Sequence, residues 1–401
     1  MSVCASCQGH TTEVMNFGDV ALAGGFLKPT EFKGERKYPL SLEFCESCFL
    51  LQVPQKVPDS TLFSDYFYFS SAIGTLRKHF KEYAAEIVER FQPRALVEIG
   101  CNDGVLLKPL ADLGVPRLVG VDPATNVVGT IDDPRIEVVN ACFGPGVLDG
   151  KADCVVANNV FAHVADLNGV TAAVADLLTD DGVFVFEVNR LDGMIADLQY
   201  DWVYHEHRYY YSLMALESLL ERHGLMVFDL KRIGTHAGSI RYYACREGMS
   251  EEAPIVEEQR QKEIWHGLDY IGRYYTFAES AQAHRERLVA LVGEAKARGE
   301  TVAGYGACGR ANTLLQWCGF TADDIAFIVD DAPAKQGFCT PGSHIPIVSR
   351  ESLKLQPEKL ILFAWSFLEE IYAKCGDYEG EVIIPLPEIV RTRSHETRIA
   401  A

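Results

Sequence analysis

Two histidines flanking a glutamate, in a stretch crowded with aromatic rings, are the residues of this chain best suited to proton transfer. The segment reads Tyr200-Asp201-Trp202-Val203-Tyr204-His205-Glu206-His207-Arg208-Tyr209-Tyr210-Tyr211. Imidazole has an unperturbed pKa of ~6.5, so it can take or give a proton near neutral pH. Three uses stand open: acid/base chemistry, a metal on His205 and His207, or structural packing. The metal use needs an extended backbone, because only there do alternate residues share a face. No further ligand cluster adjoins the segment.

Two glycine loops are suited to ligand binding. Val97-Glu98-Ile99-Gly100-Cys101-Asn102-Asp103-Gly104 follows a strand pattern and enters a helix pattern. Its G-x-x-x-G spacing differs from the dinucleotide G-x-G-x-x-G. Glu98, two residues before the first glycine, suits the cationic amino-acid end of S-adenosylmethionine. Asp122, at the end of the next strand, suits ribose hydroxyls. Asn158-Asn159-Val160-Phe161-Ala162-His163 ends a later strand, where ligands bind in open α/β sheets. The bland alternative is an ordinary strand-to-helix turn with a buried acid. The second loop, Thr301-Val302-Ala303-Gly304-Tyr305-Gly306-Ala307-Cys308-Gly309-Arg310-Ala311-Asn312, is a formal G-x-G-x-x-G, with Asp330 and Asp331 closing the next strand. NAD and the diphosphate of a nucleotide sugar fit it equally. Arg310 is expected to add a local cation there.

Cys4-Ala-Ser-Cys7 and Cys45-Glu-Ser-Cys48 offer four soft thiolates for a closed tetrahedral Zn²⁺ site. A redox dithiol is the alternative. The surrounding 60 or so residues are rich in turn formers and hardly form a core alone, so metal binding would supply folding energy.

The elements that position these groups are legible as patterns. Leu76–Phe91 is helical. RALVEIG, RLVGVDP, RIEVVNA, DCVVANN and GVFVFEV are strand-like, with helical patterns between several of them. A charged helical region over about 250–298 leads to TVAGYG, IAFIVDD, KLILFAW and VIIPLP. Such alternation predicts βαβ units and parallel sheets.

These pieces, in this order, resemble the sugar C-methyltransferases that act on TDP-linked 4-ketohexoses in antibiotic deoxysugar pathways. The resemblance spans essentially the whole chain. It rests on the four cysteines, Tyr66–Ser71, VEIGCNDG, NNVFAH, YHEH at Tyr204–His207, THAGSIR at Thr235–Arg241, and the GYGA loop with VDD and KQG. It is looser at Ala23-Gly24-Gly25-Phe26, at Cys308–Ala311 and at Ala364-Trp365-Ser366, where the family's usual residues differ.

The resemblance implies an α/β chain of three domains. They are a zinc-binding domain over 1–62, a class I S-adenosylmethionine-binding methyltransferase domain over 63–247, and a Rossmann-like domain over 248–401 that holds the nucleotide sugar without NAD. The expected reaction methylates C3 beside the C4 ketone, through an enolate. His207 is then the base, Tyr204 and Glu206 orient the sugar or the imidazole, and Asn159 and His163 stabilise the enolate. The methyl donor is expected on Glu98, Gly100, Asn102, Gly104, Asp122, Asn158 and Tyr68. The sugar nucleotide is expected on Tyr66, His205, Ser239, Arg241, Gly304, Tyr305, Gly306, Arg310, Asn312 and Asp330. The competing readings are an NAD-dependent nucleotide-sugar enzyme and a catalytically idle sugar-nucleotide binder.

The net charge of −19 argues against a nucleic-acid partner. No apolar run of about 20 residues suggests a membrane span. The N-terminus lacks a signal-peptide pattern, so a cytoplasmic enzyme is expected, as a monomer or weak homodimer.

Elemental analysis of freshly purified protein should find one Zn²⁺ per chain. Cys45→Ser should lower stability more than it alters chemistry in the folded fraction, and absence of stoichiometric zinc would contradict this.

Overall fold

The computed structural model describes residues 2–54, 57–62, 69–72, 74–234 and 238–393. The N-terminal region is more regular than its turn-rich sequence suggests. β1 (Thr12–Ala21), β2 (Lys37–Phe44) and β3 (Leu51–Gln52) pair antiparallel. Bulges between Glu13 and Met15 and between Asn16 and Gly18 break the alternation of β1.

After α1 (Asp59–Leu62), α2 (Gly74–Phe91) buries Leu76, Phe80, Tyr83, Ala84 and Ile87, a single helical stripe. The central sheet then builds through β4 (Ala95–Ile99), α3 (Leu107–Asp112), β5 (Arg117–Val121), α4 (Thr125–Val128), β6 (Ile136–Val139), β7 (Ala152–Asn158), α5 (Leu167–Leu177) and β8 (Leu178–Asn189). Helix α6 (Leu191–Ala196) leads to β9 (Tyr209–Tyr210), which leaves this sheet and joins β3 as the fourth strand of the N-terminal sheet. Helix α7 (Leu213–Glu221) is capped by Ser212, whose hydroxyl accepts from Ala215 N–H. β10 (Leu225–Ile233) and β11 (Ser239–Arg246) close the sheet in the order β10-β11-β8-β7-β4-β5-β6.

The sheet is therefore mixed, where the pattern predicted parallel strands. β11 runs antiparallel to both neighbours, because the connection from β10 is too short for a parallel crossover. The strands seen as continuous apolar runs are buried on both faces: Val155, Val156, Phe184 and Phe186 are all inaccessible.

α8 (Pro254–Trp265) and α9 (Ile271–Ala297) lead to the second sheet. It comprises β12 (Val302–Tyr305), β13 (Ile328–Val329), β14 (Ile347–Val348), β15 (Lys359–Leu362), β16 (Glu381–Ile384) and β17 (Val390–Arg393), in the order β14-β13-β12-β15-β16-β17. Helices α10 (Gly309–Cys318) and α11 (Leu368–Cys375) complete it, and only β17 is antiparallel to its neighbour.

The core explains how the N-terminal sheet holds together. Val14, Leu40, Leu42 and Phe44 pack in one cluster with Phe277, Ala281 and Leu288 of α9 and Leu314 and Leu315 of α10. Cys4, Cys45, Cys48 and Leu50 join a different cluster, with Val155, Phe161 and Phe186 of the central unit. The first 60 residues thus bridge both halves of the chain. Among the described residues, no helix is long and apolar enough to cross a membrane.

Candidate active site and zinc centre

The four sulfurs of Cys4, Cys7, Cys45 and Cys48 lie within 4.8 Å of one another. The two knuckles share one backbone shape. In each, the residue after the second cysteine is left-handed, Gln8 at φ 65° and Phe49 at φ 62°. Its N–H returns to the carbonyl of the first cysteine. Cys4 and Cys48 sulfurs are 3.4 Å apart, and those of Cys7 and Cys45 are 3.5 Å apart. Thiolates at ~2.3 Å from one Zn²⁺ stand roughly this far apart. Without a cation the group cannot ionise together. A hydrogen bond from Cys48 draws the Cys4 thiol down to about 5, while burial pushes Cys45 up to about 11. A divalent cation fits this donor set, in a closed structural role.

The first glycine loop is shaped by close packing. Gly100 has φ +70°, and a Cβ there would stand 2.3 Å from Val160 Cγ2. Asn102 and Gly104 are also left-handed. Glu98 is buried, and Asn158 Nδ2 donates to its Oε1 at 3.3 Å. Its Oε2 and the Oδ1 of Asn158 are buried with no hydrogen-bond partner among the described residues. Burial above all, then nearby Asp122, Asp103 and Glu187, pushes the Glu98 carboxyl well above the usual range. Two orphaned acceptors beside an acid suit a cationic donor. Asp122 closes β5, with its two oxygens accepting from Asn102 N–H and Ala124 N–H. Ser70 N–H and Ser71 N–H donate to the side chains of Asn102 and Asp103, tying the entry of α2 to this loop. Tyr66 and Tyr68 lie outside the described residues.

The YHEH motif forms a turn, not an extended strand: His207 N–H donates to the Tyr204 carbonyl at 3.0 Å. The two histidines therefore diverge. His207 Nδ1 is 3.1 Å from the Trp202 carbonyl and its Nε2 is 2.7 Å from Tyr204 Oη. A carbonyl only accepts, so Nδ1 carries the hydrogen and Nε2 receives the Tyr204 O–H. The imidazole lies between Trp202, at 4.9 Å and 19°, and Tyr204, at 4.0 Å. His163 meets it edge-on at 4.8 Å. Burial lowers His163 to about 4, so it is neutral at pH 7. Asn159, left-handed at φ 55°, donates its N–H to the Glu187 carbonyl. Glu206 Oε1 accepts from Gly24 N–H at 3.4 Å, and its Oε2 is buried without a partner among the described residues.

Four expected substrate contacts are engaged in buried internal interactions. His205 is buried against the N-terminal sheet, with Nε2 3.2 Å from the Pro39 carbonyl, because the turn sends it away from His207. Arg241 is buried in β11, bonded to Glu187 through Nε and Nη2 and to Glu86 through Nη1, with its guanidinium 3.4 Å from the Tyr83 ring centre. Ser239 is fully buried beside it in the same strand. His79 Nε2 lies 3.0 and 3.1 Å from the Glu187 oxygens. Burial opposes the Glu187 charge, but His79 and Arg241 outweigh it and hold the carboxyl below its usual range. Arg310 is no free cation: Nε and Nη2 each stand 2.8 Å from an oxygen of Asp201. Asp201 and its 109-residue separation from Arg310 carry no sequence signal of pairing.

The second loop holds the remainder. Gly306 has φ +95°, with a Cβ there 2.5 Å from that of Ala364, and a Cβ on Gly304 would meet Phe363 at 2.6 Å. Tyr305 Oη donates to Asp331. Asp330 folds back onto its own loop, accepting from Ala307 N–H, Ala332 N–H and Lys335 Nζ. Asn312 Nδ2 donates to the Ala21 carbonyl, leaving its buried Oδ1 without a partner among the described residues. The ring of Tyr204 covers Gly309, where a Cβ would lie 3.1 Å from Cζ. The second loop and the YHEH turn thus touch directly.

Comparison with known proteins gives three matches along the chain. Residues 4–63 match the model of a zinc binding domain, 74–230 that of a methyltransferase domain, and 234–387 that of a C-methyltransferase C-terminal domain. C-methyltransferase NovU of Streptomyces niveus is 34% identical over 96% of this chain and 95% of its own. Ubiquinone biosynthesis O-methyltransferase of Bartonella quintana is 31% identical over 35% of this chain and 63% of its own. A solved magnesium protoporphyrin IX methyltransferase of Synechocystis, at 17% identity and a TM-score of 0.34, covers 43% of this chain and 79% of its own. Near-full-length identity to NovU, with the zinc-binding and C-methyltransferase matches, shows that the chain belongs to the C-methyltransferase family its sequence resembles, as an S-adenosylmethionine-dependent enzyme.

Proposed function

We propose that the chain methylates C3 of a nucleotide-linked 4-keto-deoxysugar, with TDP as the nucleotide. One observation carries this reading: the Tyr204–His207 pair, 2.7 Å apart, stands between His163 of the first glycine-loop unit and Gly309 of the second. An acid/base pair between two nucleotide folds suits a reaction that joins their ligands. The boundaries that go with this reading are residue 62 for the zinc-binding domain and residue 247 for the methyltransferase domain.

S-adenosylmethionine supplies an electrophilic methyl group on a sulfonium, held by Glu98, Asn158, Asp122 and the 100–104 loop. The protein's own residues do the rest. The C4 ketone acidifies the C3 hydrogen, and His207 Nε2 takes that proton. Its Nδ1–H stays on the Trp202 carbonyl, which fixes the tautomer with a basic Nε2. Tyr204 Oη orders Nε2 before the substrate arrives, then donates to the sugar. Neutral His163 and Asn159 stabilise the enolate oxygen by hydrogen bonding. The C3–methyl bond forms as the sulfur–methyl bond breaks, and the proton remains on His207. Glu206 Oε2 and Asn312 Oδ1 are acceptors for sugar or nucleotide donors.

Mass spectrometry of a 4-ketosugar nucleotide panel with S-adenosylmethionine tests the reading. A gain of one methyl on a TDP-4-ketosugar, retained on a carbon after mild hydrolysis, is expected. Methylation of oxygen or nitrogen, or no product with any 4-ketosugar, contradicts it.

Binding of the methyl donor should depend on pH through Glu98. Burial favours the protonated acid in the free protein, and a cationic amino group favours the carboxylate in the complex. Binding then releases a proton, and affinity rises as pH rises towards the raised pKa. Calorimetry with S-adenosylhomocysteine in two buffers of different ionisation enthalpy should show that release, and Glu98→Gln should abolish it. Equal proton release in Glu98→Gln would rule Glu98 out.

A further inference from the structure

Helix α10 holds the segment that carries the base. The Arg310 side chain is 8% exposed and that of Asp201 is 0% exposed. Their bidentate pairing, at 2.8 Å for each contact, is what a buried ion pair needs to persist. Trp365 Nε1–H adds a third bond to Asp201, at 3.0 Å. The guanidinium sits 4.3 Å from the Trp365 ring centre and 4.7 Å from that of Trp202. A second grip lies one turn on, where Thr313 Oγ1 donates to the Val203 carbonyl at 2.7 Å.

Trp202 stands between these two grips, and it is also the residue that orients His207. Its ring stacks on the imidazole. Its carbonyl accepts from His207 Nδ1–H at 3.1 Å and from Tyr210 Oη at 3.0 Å. Its own Nε1–H donates to Gln199 Oε1. Any displacement of residues 201–203 from α10 moves both the stacking plane and the acceptor that fix the imidazole.

We propose that Arg310 is a positioning residue for His207, acting through Asp201 and Trp202, and not the cation that binds the substrate's phosphates. Its charge is already matched by a buried carboxylate. Its Nη1, buried without a partner among the described residues, can donate hydrogen bonds to a ligand but adds no net charge. The second glycine loop thereby does two things: its backbone cradles a nucleotide, and its first helical turn sets the geometry of the base contributed by the methyltransferase unit. This inference rests on the reading of His207 as the base.

The test is the tautomer of His207, read by ¹⁵N NMR on full-length, zinc-loaded protein with S-adenosylhomocysteine bound. It needs no sugar substrate, so failure to find the sugar leaves it intact. The wild type should show Nδ1–H. Arg310→Met should give a mixture of tautomers, while S-adenosylhomocysteine affinity stays within about threefold. Trp365→Phe, which keeps the ring but removes one bond to Asp201, should shift the same resonance less and serves if Arg310→Met does not fold. An unchanged His207 signal in the folded variants overturns the proposal. With the TDP-4-ketosugar, Arg310→Lys should lower kcat about tenfold or more with KM moved less than about threefold. A large rise in KM at constant kcat would instead make Arg310 a substrate ligand and overturn the proposal.

Discussion

A fully buried carboxylate cannot be left unpaired, and Asp201 is such a group where residues 200–204 meet α10. Its pairing with Arg310 obliges helix α10 to dock on residues 200–204. That docking brings Gly309 under Tyr204, where an added Cβ would crowd the ring at 3.1 Å from Cζ. It also orders Trp202, and through it the imidazole of His207. The chemistry assigned to this enzyme depends on that one junction.

The remainder of the molecule supports the same segment from other sides. β9, immediately after the YHEH turn, is the edge strand of the N-terminal sheet, so the sheet anchors the turn's exit. Arg208 N–H bonds the Ala162 carbonyl, tying that exit to the end of β7 as well. The zinc knuckles pack on the central core, and β1 and β2 pack on α9 and α10. The small N-terminal region is therefore a brace between the two larger units. Zinc stabilises the knuckles, and the brace holds the two α/β units together. This gives a physical reason for a structural metal far from the YHEH turn in sequence.

The sequence made the two α/β units legible because their strands are buried on both faces and read as unbroken apolar runs. The Cys₄ centre was legible from spacing alone. The N-terminal strands were not, since two bulges in β1 scramble its alternation and its core partners lie some 260 residues away in α9. Within the site, residue types were readable and their partners were not. Arg310 looked like a free cation because Asp201, which neutralises it, is far away in sequence. His205 and His207 looked equivalent because a turn and an extended strand share the same letters. Only the turn, closed by His207 N–H on the Tyr204 carbonyl, separates a histidine facing Pro39 from one packed against Trp202 and Tyr204.

The central claim is that His207 removes a proton from carbon before the methyl group moves. Solvent exchange tests it most directly. Wild-type protein with S-adenosylhomocysteine and a TDP-4-ketosugar in D₂O should introduce deuterium at the carbon beside the ketone, with no methyl transfer possible. His207→Asn should slow that exchange by about 10²–10⁴-fold with both ligands still bound. Exchange by His207→Asn at the wild-type rate, or none by the wild type itself, would contradict the account.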